Sequence, residues 1–391
     1  MRSALAKMVL WCAILLLVLP SCSPLKNPPL MQASAQATPT TAQPEIQASP
    51  TAGALPSVAA PGIVALDMLD VNHGWALSDS AVLRTTDGGL TWLNATPAGV
   101  GSVGASASSF FQTTNSAWVV IGNADGTSGT LYHTTDGGST WATAAVPFAG
   151  ATLQFLDASN GIALAPLGAG AGSEAVALFQ SSDGGSTWTQ VFINDPTAAG
   201  SSDSLPLSGT KSGAAFLDSN HGWVSGAEPM SDFVYLYASA DGGHTWAHQD
   251  LAMPSGFSGA TTNADPPRFF SASDGVLPVA LVSNTVGIVF YLSHDGGASW
   301  TPTQPVTPTG HYSIISLTDF FVWDGGSALF VSHDSGQTWS SISPNINIQD
   351  SLAAFQLVDP MNGWALTIDA SNHSSLYRTA DGGHTWTALI P

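Results

Sequence analysis

The chain has 391 residues, with 27 acidic side chains against seven basic ones and a formal net charge of −20 at pH 7. A surface this acidic repels phosphate backbones, which excludes nucleic acid as a partner. Glutamate is confined to Glu45, Glu174 and Glu228, and lysine is as scarce, while Gly, Ser, Thr and Ala abound. Helices draw on Glu and Lys for their exposed faces, so the composition points to an all-β protein.

Arg2 and Lys7 form a short basic region ahead of an apolar run from Met8 to Leu19. The run is too short to span a bilayer comfortably and suits a signal peptide over residues 1–22. Leu19-Pro20-Ser21-Cys22 resembles the bacterial lipobox, which implies that Cys22 receives diacylglycerol and becomes the mature N-terminus of an envelope lipoprotein. The other reading is an ordinary signal peptide or an uncleaved anchor with Cys22 incidental, the cleaved form being secreted. Either places the protein outside the cytoplasm, with the membrane met through the N-terminus alone. Cys12 and Cys22 are the chain's cysteines, so no disulfide is expected downstream. Residues 23–61 are rich in Pro, Ala, Thr, Ser and Gln, lack the apolar content to bury a core, and read as a disordered tether.

From residue 62 to 391 one pattern recurs, Ser/Thr-x-Asp-x-Gly-x-Thr/Ser-Trp. Its aspartates are Asp87, Asp136, Asp183, Asp241, Asp295, Asp334 and Asp381, at intervals of 39 to 58 residues. An aspartate that accepts backbone N–H groups of the turn it opens, followed by a glycine tolerant of positive φ, describes a tight β-hairpin. The tryptophan supplies a large apolar cover. Ahead of each box lies a second recurring segment, clearest in Leu69-Asp70 through Trp75, Leu156-Asp157 through Ile162, Leu217-Asp218 through Trp223 and Val358-Asp359 through Trp364, with degenerate forms ending at Trp118, Val276 and Trp323. Each unit therefore reads as four strands; in the first these are Ile63 to Leu69, Gly74 to Ser78, Ala81 to Thr86 and Thr91 to Ala95. Seven such units predict a single seven-bladed β-propeller of four-stranded antiparallel blades, with the Asp boxes in the strand 3–4 hairpins. A β-solenoid is the other architecture that repeats of this length allow.

These boxes resemble the Asp-box (BNR) repeat superfamily, which includes sialidases, xyloglucan-active glycosidases, the sortilin ectodomain and the photosystem II stability/assembly factor family. In size and unit form the chain is similar to that last family, a seven-bladed propeller behind an export leader. The resemblance implies that the seven aspartates are structural and lie away from the ligand. It also implies a binding face of clustered arginines in the assembly factors, whereas this chain has just Arg84, Arg268 and Arg378 beyond its leader.

Strand direction alternates, so the boxes crowd one end and the long insertions lie at the other. The insertions are Leu167 to Ser173, Ala227 to Asp232, Asn194 to Ser212, Met253 to Pro267 and Thr301 to Gly310. Loops on a rigid scaffold are where binding residues collect. The candidate rim comprises Glu174, Asp195, Asp203, Lys211, Glu228, Met230, Asp232, Phe257, Asp265 and Arg268, with Met253 as a further apolar contact; tolerated surface insertions are the other reading. The arginines are too few and too separated for a sialidase carboxylate grip. Rim carboxylates could serve a glycosidase as acid and base, so that reading stands beside a non-catalytic scaffold for an envelope protein or glycan, the function expected of a monomer here. The ten histidines lack zinc-ligand spacing and Asn123–Gly126 reads as a turn, so neither a metal nor another cofactor is expected.

Overall fold

The computed structural model describes residues 54–104, 107–307, 309–349 and 351–390. The leader, Cys22 and most of the tether lie outside these residues. All regular structure among the described residues is β, in antiparallel sheets.

Each repeat folds as an up-and-down sheet. In the first, the strands Ile63–Met68, Gly74–Ser78, Val82–Thr85 and Trp92–Asn94 pair in sequence order. The inner strands that follow in the chain are Ser108–Phe111, Thr152–Phe155, Thr210–Phe216, Thr261–Ala264 with Arg268–Phe269, His311–Ile314 and Leu352–Leu357. One sheet has nine strands because it joins units four and five: Ala227 and Glu228 at the end of Gly222–Glu228 pair with Asn263 and Thr262. The first sheet has a fifth strand, Ser57–Val58, paired with Leu93 and Trp92. The Asn94 N–H also donates to the Pro56 carbonyl at 2.8 Å. The folded part thus begins inside the stretch read as a tether. A two-residue bridge asks only for backbone and one apolar side chain, here Val58 against the first core cluster, and composition does not register so short an element.

The Asp box is a closed hydrogen-bonded knot repeated seven times among the described residues. In the first, the Thr85 hydroxyl donates to Asp87 Oδ1 (2.9 Å) and accepts the Gly89 N–H (2.9 Å). Asp87 Oδ1 accepts the Thr91 N–H (2.9 Å) and Oδ2 accepts the Thr91 hydroxyl (2.6 Å). The last box repeats this with Thr379, Asp381, Gly383 and Thr385. The residue after the aspartate holds a left-handed conformation, Gly in six boxes and Ser335 at φ 62° in the sixth. The first turn of units one, three, four and seven is closed by the other recurrent aspartate, as where Asp70 Oδ1 accepts the N–H groups of Asn72 and His73, both at 2.8 Å; the hydroxyls of Thr113, Ser271 and Ser316 take that place in units two, five and six.

Alternation along the strands puts apolar side chains on both faces of every sheet, and the core consists of what lies between neighbouring sheets. Seven apolar clusters occur among the described residues. Each straddles two units consecutive in the chain, except the one that unites Ile63, Met68, Leu83 and Trp92 of the first unit with Trp364, Leu366 and Leu376 of the last. The chain therefore closes on itself. Among the described residues no strand is exchanged between the first and last sheets; the contacts are side-chain packing and the hydrogen bonds described next.

Candidate functional site

Aligning the repeats on their inner strands places Asp67, Phe110, Gln154, Ala215, Arg268, Ser313 and Gln356 in one column, each opposite the second residue of the neighbouring strand. Four of them reach across to the next unit and bond the backbone of the residue one place further along its inner strand. Gln154 accepts the Phe216 N–H (2.7 Å) and donates to the Phe216 carbonyl (2.9 Å). Gln356 does the same to Met68, at 2.8 and 3.0 Å. Ser313 accepts the Leu357 N–H (2.9 Å) and donates to its carbonyl (3.3 Å), and Arg268 donates to the Ile314 carbonyl at 2.8 Å. These clasps satisfy backbone groups that no strand pairs, and Gln356 closes the ring between residues far apart in the chain. None of the motifs singled out in the sequence contains them, although lining up the repeats on Leu-Asp or its equivalents puts the column in register.

Arg268 therefore belongs to the box end of the inner strand, not to the loop-rich rim. The reason is local: Thr261–Ala264 is already strand, and Pro266 and Pro267 interrupt it without ending it, so Arg268 resumes pairing opposite Val276 beside the first turn. Its side chain is exposed to solvent. Partial desolvation pulls the guanidinium pKa down, opposed by the Asp67 carboxylate, whose own pKa burial raises against the hydrogen bond from Gln356 and the charge of Arg268.

The other arginines are scaffold parts. Arg84 lies 5.8 Å from the Trp75 ring centroid, with Nη1 3.4 Å from the Gly137 carbonyl of the next box. Arg378 lies 5.4 Å from Trp364 and donates to the Val71 carbonyl at 3.3 Å, while Trp364 Nε1 donates to the Gly88 carbonyl at 2.9 Å.

At the loop-rich end, the rim residues serve mainly their own loops. Lys211 Nζ donates to the carbonyls of Glu174, Leu207, Ser208 and Gly209 at 3.0–3.1 Å and lies 5.4 Å from the Tyr235 ring. Burial pulls its pKa down to about 8, against the charges of Glu174 and Glu228. Glu174 Oε2 accepts the Lys211 N–H at 2.6 Å, and Glu228 accepts the Ser208 hydroxyl at 3.3 Å. Asp195 caps Thr197, Asp232 holds the Gly259 N–H at 2.7 Å, and Asp265 accepts the Tyr312 hydroxyl at 2.7 Å. Asp203 is exposed. Phe257 is 7% exposed and packs with Val234, Leu236 and Leu277, because the turn from Pro254 to Ala260 folds it inward; it is core rather than a ligand contact, and Met253 packs partly buried beside it. Met230 is exposed, as are Leu167, Leu207, Val282 and Val286 on neighbouring loops of the same end. The rim is thus an acidic border around scattered apolar tips.

A large cavity lies elsewhere, at the box end, bordered by units three, four and five. It is a cleft of about 1250 Å³ bordered by Gln154, Phe216, Trp223, Trp246, Arg268 and Phe269 among others. Among the described residues no three His, Cys, Asp or Glu side chains gather closely enough to hold a metal ion. Two of the histidines beside boxes pair with turn aspartates, His294 with Asp274 at 2.8 Å and His333 with Asp319 at 2.7 Å.

No known family profile and no curated protein matches the chain. Solved structures do. YCF48 bound to a D1 peptide superposes with a TM-score of 0.53 at 18% identity, covering 84% of this chain and 95% of that one. The GH74 xyloglucanase from Xanthomonas campestris gives 0.55 at 12% identity over 86% of this chain, which spans 55% of the enzyme. An ulvan lyase of polysaccharide lyase family 25 gives 0.51 at 11%, covering 85% and 97%. The chain has the β-propeller fold that these proteins share.

Proposed function

We propose that the chain is a seven-bladed, non-catalytic Asp-box propeller that holds a protein partner outside the cytoplasm, tethered through a lipidated Cys22. The seven box hairpins and the seven inter-unit clusters support the blade count. The observation that carries the non-catalytic reading is the employment of the charged groups. Every described Lys and Arg donates to backbone carbonyls. Glu174, Glu228, Asp195, Asp232 and Asp265 each accept a hydrogen bond from the protein itself, Asp195 within its own loop and the others from neighbouring segments. An acid and base pair needs two carboxylates free to face a substrate, and five of the six rim carboxylates are already engaged by these hydrogen bonds.

The exposed apolar tips Leu167, Leu207, Met230, Val282 and Val286, set in an acidic border, suit a partner segment that is apolar with basic flanks. Peptide binding by the YCF48 structure supports protein rather than glycan. The test is capture of partners from envelope extract by the full chain and by the Leu167→Asp/Met230→Asp/Val282→Asp variant. Loss of specific partners in the variant, with unchanged thermal stability, is expected. Identical capture would overturn the choice of face, and sustained release of sugar from a polysaccharide panel would overturn the non-catalytic reading.

A further inference from the structure

The cleft borders a sheet in which two positions that carry larger side chains in the other units are alanine. Across each sheet at the box end runs a row of three paired residues. The rows are Asp67–Trp75–Arg84, Phe110–Trp118–His133, Gln154–Ile162–Gln180, Arg268–Val276–Leu292, Ser313–Phe321–Val331 and Gln356–Trp364–Arg378. In unit four the row is Ala215–Trp223–Ala238. Trp223 thus stands between two methyl groups, and Trp223 and Ala238 border the cleft.

Ala215 also occupies the clasp column. The residue it faces in the next unit is Phe269, which holds the same register opposite Gly275 as Phe216 does opposite Gly222 and Met68 opposite Gly74. In that register the N–H and carbonyl point away from the second strand, toward the neighbour's clasp. Phe216 and Met68 have both groups taken by a glutamine carboxamide. A methyl group takes neither, and no side chain among the described residues bonds Phe269 N–H or carbonyl. Phe111 and Phe155 lack a clasp too; their neighbours are the bulkier Asp67 and Phe110, whereas ring packing occurs at all three sites, as Trp75–Phe111 (5.4 Å), Phe110–Phe155 (6.0 Å) and Trp223–Phe269 (4.8 Å). Phe155 and Phe269 both border the cleft, and of the two it is Phe269 that faces a column alanine rather than a large side chain.

We propose that the cleft is a binding site for a glutamine side chain presented by a protein partner, whose carboxamide completes at Phe269 the clasp that Gln154 and Gln356 make elsewhere. A primary carboxamide offers an acceptor and a donor on the same side. A trans secondary amide, such as the acetamido group of a sugar, points its N–H and carbonyl in opposite directions and cannot meet both. At about 1250 Å³ the cleft exceeds the roughly 300–1,000 Å³ of small-molecule pockets, so flanking residues of the segment fit beside Arg268 and Trp246. The site lies at the opposite end from the rim and stands or falls independently of it.

The test uses the full chain, isotope-labelled, titrated with acetyl-Ala-Ala-Gln-Ala-Ala-amide and with the same peptide carrying Met in place of Gln. The expected result is a saturating shift of the Phe269 and Gly275 amide resonances by the Gln peptide, with at least tenfold weaker binding of the Met peptide. Ala215→Gln should supply the clasp internally, raising the thermal midpoint and abolishing the peptide response. Should that variant fold poorly, Ala215→Ser, which copies the clasp of Ser313, is expected to weaken the response at least severalfold. Equal binding of the two peptides, no shift at Phe269, or undiminished binding by the folded Ala215 variants would overturn the proposal. Loss of partners in the rim variant alongside any of those outcomes would leave the proposed function standing and this site refuted.

Discussion

Gln356 and Met68, 288 residues apart, form a two-point side-chain-to-backbone clasp in which Gln356 Oε1 accepts the Met68 N–H at 2.8 Å and Nε2 donates to its carbonyl at 3.0 Å. Gln154 and Phe216 repeat the geometry within the ring. The junction of first and last units is thus built with the same device as an internal one. Among the described residues the first and last sheets share no strand, so that junction depends on this clasp, on Trp364 and Arg378, and on the packed side chains around Trp92.

Gln356→Ala leaves two partly buried backbone groups unpaired, which costs about 1–3 kcal/mol. Chemical denaturation of the variant against the parent chain measures this. Gln356→Glu separates the two halves of the clasp, since a carboxylate accepts the Met68 N–H but cannot donate to the carbonyl, and it adds charge beside Asp67, now 3.1 Å from Gln356 Nε2. It should be the worse variant at pH 7 and regain stability below about pH 5, where the new carboxyl protonates. Equal stability of Gln356→Glu at both pH values would refute the assignment.

Ser335 carries φ 62° in the position that six other boxes give to glycine. A side chain in the left-handed region costs about 1–2 kcal/mol, and glycine gives back roughly half to one kcal/mol through the freer unfolded chain. Ser335→Gly should therefore stabilise the protein by about 0.5–1 kcal/mol, read as a raised denaturation midpoint. The reverse substitution, Gly296→Ser, should destabilise by a similar amount.

Acid should loosen the boxes. The hydroxyl and N–H of Ser299 hold the Asp295 carboxyl down at about 2, and those of Thr338 do the same for Asp334, against an ordinary 3.8. A carboxyl whose folded pKa is depressed stabilises the fold above its unfolded pKa and loses that contribution as pH falls through the folded value. The thermal midpoint should thus hold steady above pH 4 and decline between pH 4 and 2. Asp67 has the opposite sign: burial raises its pKa, so its ionisation weakens the fold as pH rises past 3.8. Asp67→Asn, which keeps an acceptor for Gln356, should stabilise the protein at pH 7 while leaving the acid limb intact.

The repeat was fully legible because each box carries its own local bonds: Ser/Thr, Asp, Gly and Thr meet within a single short hairpin. The strands of the first unit were legible for the same reason. Arg268 and Phe257 were misplaced because their settings depend on a strand interrupted at Pro266 and Pro267 and on a loop that folds inward, neither of which has a local signature. The clasps and the cleft are relations between units. They become visible when the seven inner strands are stacked in register, where Ala215 stands out as the column's smallest member and Gln154 and Gln356 as its amides.

Lys211 offers the sharpest separation of charge from function at the rim. Its ammonium is wrapped by four carbonyls at 3.0–3.1 Å, three of them from Leu207, Ser208 and Gly209 at the end of the connection between units three and four. A ligand-binding lysine would keep its donors for the ligand; this one uses them to pin a loop. Lys211→Met retains the apolar stem against Tyr235 but leaves those carbonyls without a donor, at a cost of about 2–3 kcal/mol for hydrogen bonds to a charged group. The loss should be local, appearing as faster hydrogen exchange and protease cleavage across Asn194–Gly209 while units one, two, six and seven keep their protection. If exchange there is unchanged while partner capture disappears, Lys211 is a ligand contact and the scaffold role argued from its four carbonyls is wrong.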